Sequence, residues 1–346
     1  MFVMPIKALF SLSQFNPHQT LLSSNSIEQF SESKHGGRVI FVTHQWAAHS
    51  SPDPSNIQLS TLQSVLRRMM GGFIDKIETN WVQALVFKDS PSISRKQMEA
   101  AVPHMFVWID FMSMPQPTCC ISLPAPMGPP AAQGKLAQSV NMLSESAQLK
   151  FNSPSIEDQL LAAVESIPAY VEHSSLMISL VPPTTHLDRQ GELVSWQSWR
   201  RRGWCRMEFA SANLSREELP IMVVHGPLSQ PEFVLPVDAM SLAPGLGDFT
   251  CCACGHDFGG GEGTSPCDKI KIATVVDHML EAKIDHLFSS GRMFEARYYT
   301  CLSKFICRGL EDQMEIVRKA KRFVLGGGVE EEEELGEQDE GAPEAR

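Results

Sequence analysis

The sequence predicts an α/β protein: a parallel sheet with helices on both faces, in three layers. Four short runs carry that expectation. Residues 38–43, 105–111, 176–181 and 221–224 are almost wholly apolar, as strands buried on both faces of a parallel sheet are. Between them lie segments whose apolar residues recur at helical spacing and whose ends carry caps and stops. Strands alternating with helices give parallel crossover units. An apolar content of 43% over 346 residues is enough to fill a sizeable core.

Residues 1–37 are expected to form a flexible N-terminal arm, because 11–37 are rich in Ser, Gln and Asn. The first strand, 38–43, leads into a loop holding His44-Gln45-Trp46 and Pro52-Asp53-Pro54. Leu59, Leu62, Val65, Leu66 and Met69 mark a helix that Gly71-Gly72 stops. A short helix over 94–104 is opened by Ser94. Asp110 sits near the carboxyl end of the second strand, 105–111, where α/β sheets place ligands. Residues 115–154, rich in Pro, Ala, Ser and Gln, read as a flexible insertion.

Ser155 caps a helix with Ile156, Leu160, Leu161, Val164 and Ile167 on one face and Pro168 near its end. The third strand, 176–181, is closed by Pro182-Pro183, and 184–202 read as a long loop with Trp196, Trp199 and three consecutive Arg. A helix from about 204 to 213 follows. Gly203 in front of it allows another segment to approach the backbone closely, and Glu208 reads as an acid in its first turn, favoured by the helix dipole. Residues 226–325 form an extension, turn-rich to 270 and then helical over 270–288 and 292–325. It either packs on the sheet domain or makes a small helical unit. Residues 326–346 read as a disordered acidic tail.

The net charge is −11. The stretch 330–346 holds nine acids and one base, which leaves 28 bases against 31 acids elsewhere. An acidic body without a basic face argues against nucleic acid as a partner. No apolar run approaches the roughly 20 residues that cross a bilayer, and the start lacks a basic segment ahead of a long apolar one, which argues against a secretory signal. Nine Cys, an odd number at irregular spacing, suggest reduced thiols and a cytoplasmic location. The 17 Met serve as core filler.

Four pieces then occur in order: 39–46 (V-I-F-V-T-H-Q-W), 107–110 (V-W-I-D), 166–180 (S-I-P-A-Y-V-E-H-S-S-L-M-I-S-L) and 202–209 (R-G-W-C-R-M-E-F). The set resembles the Toll/interleukin-1-receptor (TIR) domain, with its opening apolar strand, its second strand ending in an acid, and W-C-x-x-E at the head of a later helix. It is also similar to a group of protist proteins sharing the strings S-H-Q-W, P-D-P, W-x-D-x-x-S-x-P-Q, S-I-P-A-Y-V-E and R-G-W-C-R-x-E. The match covers 38–225 and implies a TIR-like, flavodoxin-like sheet over that range. The chain departs from the TIR pattern in three ways. His44-Gln45-Trp46 stands where a small polar turn is usual, the glycine-containing BB loop is not recognisable, and the insertion is unusual.

In TIR domains with enzymatic activity, the Glu of that helix cleaves the nicotinamide–ribose bond of NAD. By position, the resemblance makes Glu208 the catalytic residue, with NAD as substrate and His44, Trp46, Asp110 and Arg206 lining the crevice. A carboxylate suits such chemistry, because the breaking N-glycosidic bond builds positive charge on the ribose. Trp46 offers a ring for stacking, and Arg206 with Arg200, Arg201 and Arg202 offers cations for a diphosphate. The resemblance also implies self-association, or signalling proteins as partners.

Each signal has a plainer reading. Glu208 can bond backbone or pair with Arg206 or Arg202, so the same fold can equally be a non-catalytic interaction module. Asp110 can cap the following turn, His44 can make a structural hydrogen bond, and Trp204 and Cys205 read as packing. Separately, Cys251 and Cys254 have C-x-x-C spacing, which His256 and Cys267 would complete as a tetrahedral zinc site. Reduced structural thiols are the default there.

Overall fold

The computed structural model describes residues 1–79, 84–85, 90–116, 155–217, 219–234, 241–253 and 267–325. The strands are β1 (Phe2–Pro5), β2 (Glu28–Gln29), β3 (Val39–His44), β4 (Lys76–Glu78), β5 (Ser92–Ser94), β6 (Phe106–Ile109), β7 (Leu176–Leu180), β8 (Thr184–Thr185), β9 (Leu193–Val194), β10 (Ile221–Val224) and β11 (Glu232–Val234). Seven make one sheet in the order β11-β10-β7-β3-β6-β1-β2. β10, β7, β3 and β6 are mutually parallel. β11, β1 and β2 extend the two edges antiparallel.

Numbered by their place in the chain, the four parallel strands run 2-1-3-4 across the sheet, the flavodoxin-like order. Winding reverses between β3 and β7. A crevice therefore opens beyond the carboxyl ends of these two strands.

All six residues of β3 are buried, and the first four are apolar, with Thr43 and His44 polar at its carboxyl end. Its residues alternate between two cores. Phe41 joins Trp108, Met177 and Val223 on one face, and Ile40 and Val42 join Val107, Ile178 and Met222 on the other. The helix Ile57–Met70 covers the second face with Leu59, Leu62, Val65, Leu66 and Met69. The helix Gly203–Leu214 covers the first with Met207, Phe209 and Ala212. The anticipated caps are present. Ser94 and Gln97 form a capping box, and Ser155 Oγ accepts from Asp158 N at 3.0 Å.

Four expectations are corrected. The first 37 residues are folded onto the sheet rather than forming an arm. β1 pairs with β6, and Val3, Met4, Ile6, Leu9, Leu21 and Ile27 are buried. The anchoring run, 1–10, is apolar but for Lys7 and too short to show a strand period. Within 184–202, β8 and β9 pair as a hairpin and Trp196–Trp199 forms a helical turn. The turn-rich stretch after 226 contributes the edge strand β11. The helix expected over 292–325 is two, Met293–Ile306 and Glu311–Leu325, separated at Gly309, whose φ of +76° suits glycine.

These helices and Asp268–Ser289 share the core beneath Gly203–Leu214. Lys283 Nζ donates to the carbonyls of Ser215 and Arg216 just past that helix's C-terminus, where a cation suits the dipole. Buried Asp277 pairs with Arg318 and Lys321, tying down the last helix. Residues 117–154 of the insertion and the whole tail, 326–346, lie outside the described residues. No helix among the described residues is long and apolar enough to cross a membrane.

Candidate functional site

The strand β3 ends in Thr43 and His44, and both point chemistry into the crevice beyond the sheet. Thr43 Oγ1 donates to Glu208 Oε2 at 2.5 Å and accepts from Trp199 Nε1 at 3.2 Å. Both Thr43 and Trp199 are buried. The hydroxyl has one proton, and it is directed at the carboxyl. Glu208 lies in the second turn of its helix, with no acid in the first turn, so the dipole explanation of this residue does not apply. Its position is set by the close seating of the helix. A Cβ at Gly203 would collide with the Phe249 ring, and one at Gly247 with the Gly203 backbone.

His44 makes two contacts. Nδ1 lies 2.6 Å from Gln58 Oε1, and Nε2 lies 2.9 Å from Asp110 Oδ1. Gln58 Nε2 donates to the Gln45 carbonyl at 2.8 Å, which fixes Oε1 as the atom facing His44. Both ring nitrogens thus face acceptors, as an imidazolium requires. Burial works against that charge, but Asp110, joined by Gln58, outweighs it and holds the His44 pKa above its ordinary value.

Burial likewise works against the Asp110 carboxylate. It is outweighed by His44, Trp46 and a backbone N–H, and the pKa is lowered. Trp46 Nε1 donates to Asp110 Oδ2 at 2.9 Å, and Phe111 N donates to Oδ1 at 2.6 Å. Asp110 is therefore ion-paired and also begins the helical turn Asp110–Ser113. Its two plainer and functional readings coexist.

Glu208 goes the other way. Burial, reinforced by the charge of Asp110, pushes its pKa up to about 8, while Thr43 and His44 pull it down. Two carboxyl groups in one cleft are thus driven apart. Asp110 stays ionised, and Glu208 is mostly protonated at neutral pH and exchanges its proton just above it. That separation is how one site provides an anion and a proton carrier together.

The cleft has a volume of about 280 Å³ and is lined by His44, Gln45, Trp46, Asp110, Met114, Val164, Ile167, Arg202, Trp204, Cys205 and Glu208. The structure brings together four of the five residues singled out from the sequence. Arg206 is the exception. Its Nε donates to the Arg200 carbonyl at 2.6 Å and its Nη1 to the Ala243 carbonyl at 3.1 Å, so it staples loops outside the cleft. Arg202 takes the place expected of it. Trp46 meets Phe111 edge-on while its N–H holds Asp110.

Trp204 reaches the lining and donates to Asp268 at 3.2 Å. Cys205 is buried, and burial first and Glu208 second push its thiol well above the ordinary range, which removes the thiolate a nucleophile needs. Sequence reasoning missed Thr43, Gln58 and Trp199. Thr43 had a usable signal, as a polar residue at the carboxyl end of a buried strand. Gln58 and Trp199 had none.

Of the zinc candidates, Cys254 and His256 and the side chain of Cys251 lie outside the described residues. Cys267 lies 4.0 Å from Cys252, sulfur to sulfur. Among the described residues no group of three His, Cys, Asp or Glu is arranged to hold a metal ion. No family model, curated protein or solved structure matches the chain.

Proposed function

We propose that the chain is a TIR-like signalling protein that hydrolyses the N-glycosidic bond of NAD, with Glu208 as the catalytic residue. The observation that carries this reading is the cleft at the winding reversal. It contains one carboxyl held by a buried hydroxyl and able to change protonation near neutral pH, and a second carboxyl locked as an anion.

The reaction uses those two states. The bond from ribose C1 to the nicotinamide nitrogen breaks, and its electron pair goes to the ring, which leaves neutral. No general acid is needed. Positive charge develops on the ribose and is stabilised by the Glu208 carboxylate. Water adds to C1, and Glu208 accepts its proton, giving ADP-ribose, nicotinamide and one released proton. A bound pyridinium favours the ionised form of Glu208, as any nearby cation does. Asp110, held as an anion by His44 and Trp46, fixes one side of the cleft, and Trp46 and Trp204 provide aromatic walls. Concentrated protein incubated with NAD should release nicotinamide and ADP-ribose in equal amounts. Their absence at every protein concentration counts against the reading.

The second reading, a non-catalytic self-association module of the same fold, is favoured by one observation. The helix Met293–Ile306 turns Phe294 and Phe305 to solvent, at 84% and 58% exposure. Large exposed aromatics of this kind mark association surfaces. A lower sedimentation coefficient on replacing both with Ser, with no nicotinamide release by the parent protein, would favour it.

A further inference from the structure

A second cavity, of about 500 Å³, adjoins the carboxyl cleft and shares Gln45, Trp46 and Arg202 with it. Ala48, His49, His186, Arg189 and Thr250 complete its lining. Its character is opposite to that of the cleft. Two guanidinium groups, two imidazoles, a hydroxyl and an amide surround it, and among the described residues no carboxylate belongs to the lining. The neighbouring acids are engaged. Asp188 Oδ2 accepts from His49 N at 2.6 Å, and Glu192 Oε2 accepts from Arg189 Nη1 at 3.2 Å. Arg189 retains further N–H groups after that contact, because a guanidinium has five. Arg202 Nη2 donates to Thr250 Oγ1 at 3.0 Å.

The walls are fixed before any ligand arrives. Leu187 N donates to the Ala47 carbonyl at 2.7 Å, which ties the β8–β9 turn to the loop after β3, and His186 N donates to the Glu192 carbonyl at 2.9 Å within that turn. Asp188 N donates to His186 Nδ1 at 3.2 Å. That contact leaves Nδ1 as the acceptor and puts the ring proton on Nε2. Burial, then Arg189, holds the His186 pKa below its ordinary value, so His186 serves as a neutral donor near pH 7.

We propose that this basin is a phosphoryl-binding subsite, which holds the diphosphate of a nucleoside diphosphate whose glycosidic end reaches Glu208. Convergent guanidinium, imidazole and hydroxyl donors match the oxygens of a phosphate. The shared wall at Trp46 and Arg202 lets one bipartite ligand span the basin and the carboxyl cleft. The inference deepens the NAD reading and rests on it for the group beside Glu208. Neither Arg189 nor His186 touches that carboxyl.

The test is equilibrium binding of ADP, inorganic phosphate and adenosine to full-length Glu208→Gln protein, alone and combined with Arg189→Glu, Arg189→Lys or His186→Ala. ADP is expected to bind more tightly than either fragment and more weakly as salt rises. Arg189→Glu should weaken ADP about tenfold or more, as loss of a charge-assisted contact does, while Arg189→Lys keeps most of the affinity. Because Arg189 lies on a surface turn and not in the core, unchanged melting of its variants serves as the folding control.

ADP affinity indifferent to Arg189→Glu and His186→Ala overturns the subsite. Inorganic phosphate binding as tightly as ADP overturns the diphosphate assignment. The two readings fail separately. Nicotinamide release undiminished by Arg189→Glu in otherwise unaltered protein removes the subsite and spares Glu208. ADP binding that depends on Arg189, in a protein that releases no nicotinamide, supports the subsite and removes the glycohydrolase.

Discussion

Thr43 Oγ1 donates its proton to Glu208 Oε2, and the same oxygen accepts from Trp199 Nε1. A strand end, the Trp196–Trp199 turn and the helix Gly203–Leu214 thus meet at one hydroxyl. The carboxyl is fixed by a neutral donor rather than by a cation. It is not the Arg-neutralised acid that the flanking sequence invites.

Thr43→Val removes that donor and leaves Trp199 Nε1 buried without its acceptor. The expected cost in stability is about 1–3 kcal/mol, the penalty for an unsatisfied buried group, read from denaturant unfolding. Since Thr43 lowers the Glu208 pKa, the ionisation of Glu208 should move to higher pH in the variant. An unchanged or acid-shifted limb in the pH–rate profile of nicotinamide release would count against the role given to Thr43.

The Glu208 pKa is raised from 4.5 to about 8 in the folded protein. The folded state therefore binds the extra proton, and the associated stability is fully present below pH 4.5 and lost as pH rises through about 8. Glu208→Gln does not titrate. Its melting temperature should stay close to that of the parent at pH 4.5 and exceed it by a few degrees at about pH 9. A difference that does not vary with pH would show that Glu208 is not the titrating group.

For the His44–Asp110 pair, the two signs bracket a window. Asp110, lowered from 3.8, gives stability that is present above 3.8 and lost as pH falls through its depressed pKa. His44, raised from 6.5, gives stability that is present below 6.5 and lost as pH rises through its elevated pKa. Asp110→Asn should therefore cost most between pH 3.8 and 6.5. A cost of about 1–3 kcal/mol is expected, discounted because the Asp110 side chain is 32% exposed. A cost that keeps growing up to about pH 9 would contradict an imidazolium at His44.

Arg206 and Arg202 should separate cleanly. Arg206→Ala frees two carbonyls outside the cleft, so thermal stability should fall by about 1–2 kcal/mol with the KM for NAD little changed. Arg202→Ala should raise that KM, because Arg202 lines both the cleft and the basin. The reverse pattern would restore Arg206 to the site.

The sheet was legible because its four parallel strands are buried on both faces, and burial forces apolar runs such as that of β3. The edge strands β1 and β11 are four and three residues long. No period can emerge from so few residues. In the site, the W-C-x-x-E spacing singled out Glu208, and Asp110 stood out as an acid ending an apolar run. Thr43, Gln58 and Trp199 are brought in only by tertiary contacts, and Arg206 was overvalued because sequence does not tell which way a helical side chain turns. The guanidinium and imidazole groups of the basin come from residues 49, 186, 189 and 202, a grouping with no local signature.

The most direct measurement is nicotinamide release from NAD at about pH 8 by parent protein and by Glu208→Gln, side by side at matched high concentration. Gln keeps the size of the side chain and an acceptor for Thr43 but supplies neither negative charge nor a proton acceptor. Release by the parent and a loss of about 100-fold or more in the variant is the expected result. Equal release by both, or by neither, contradicts the assignment of Glu208 as the catalytic carboxyl.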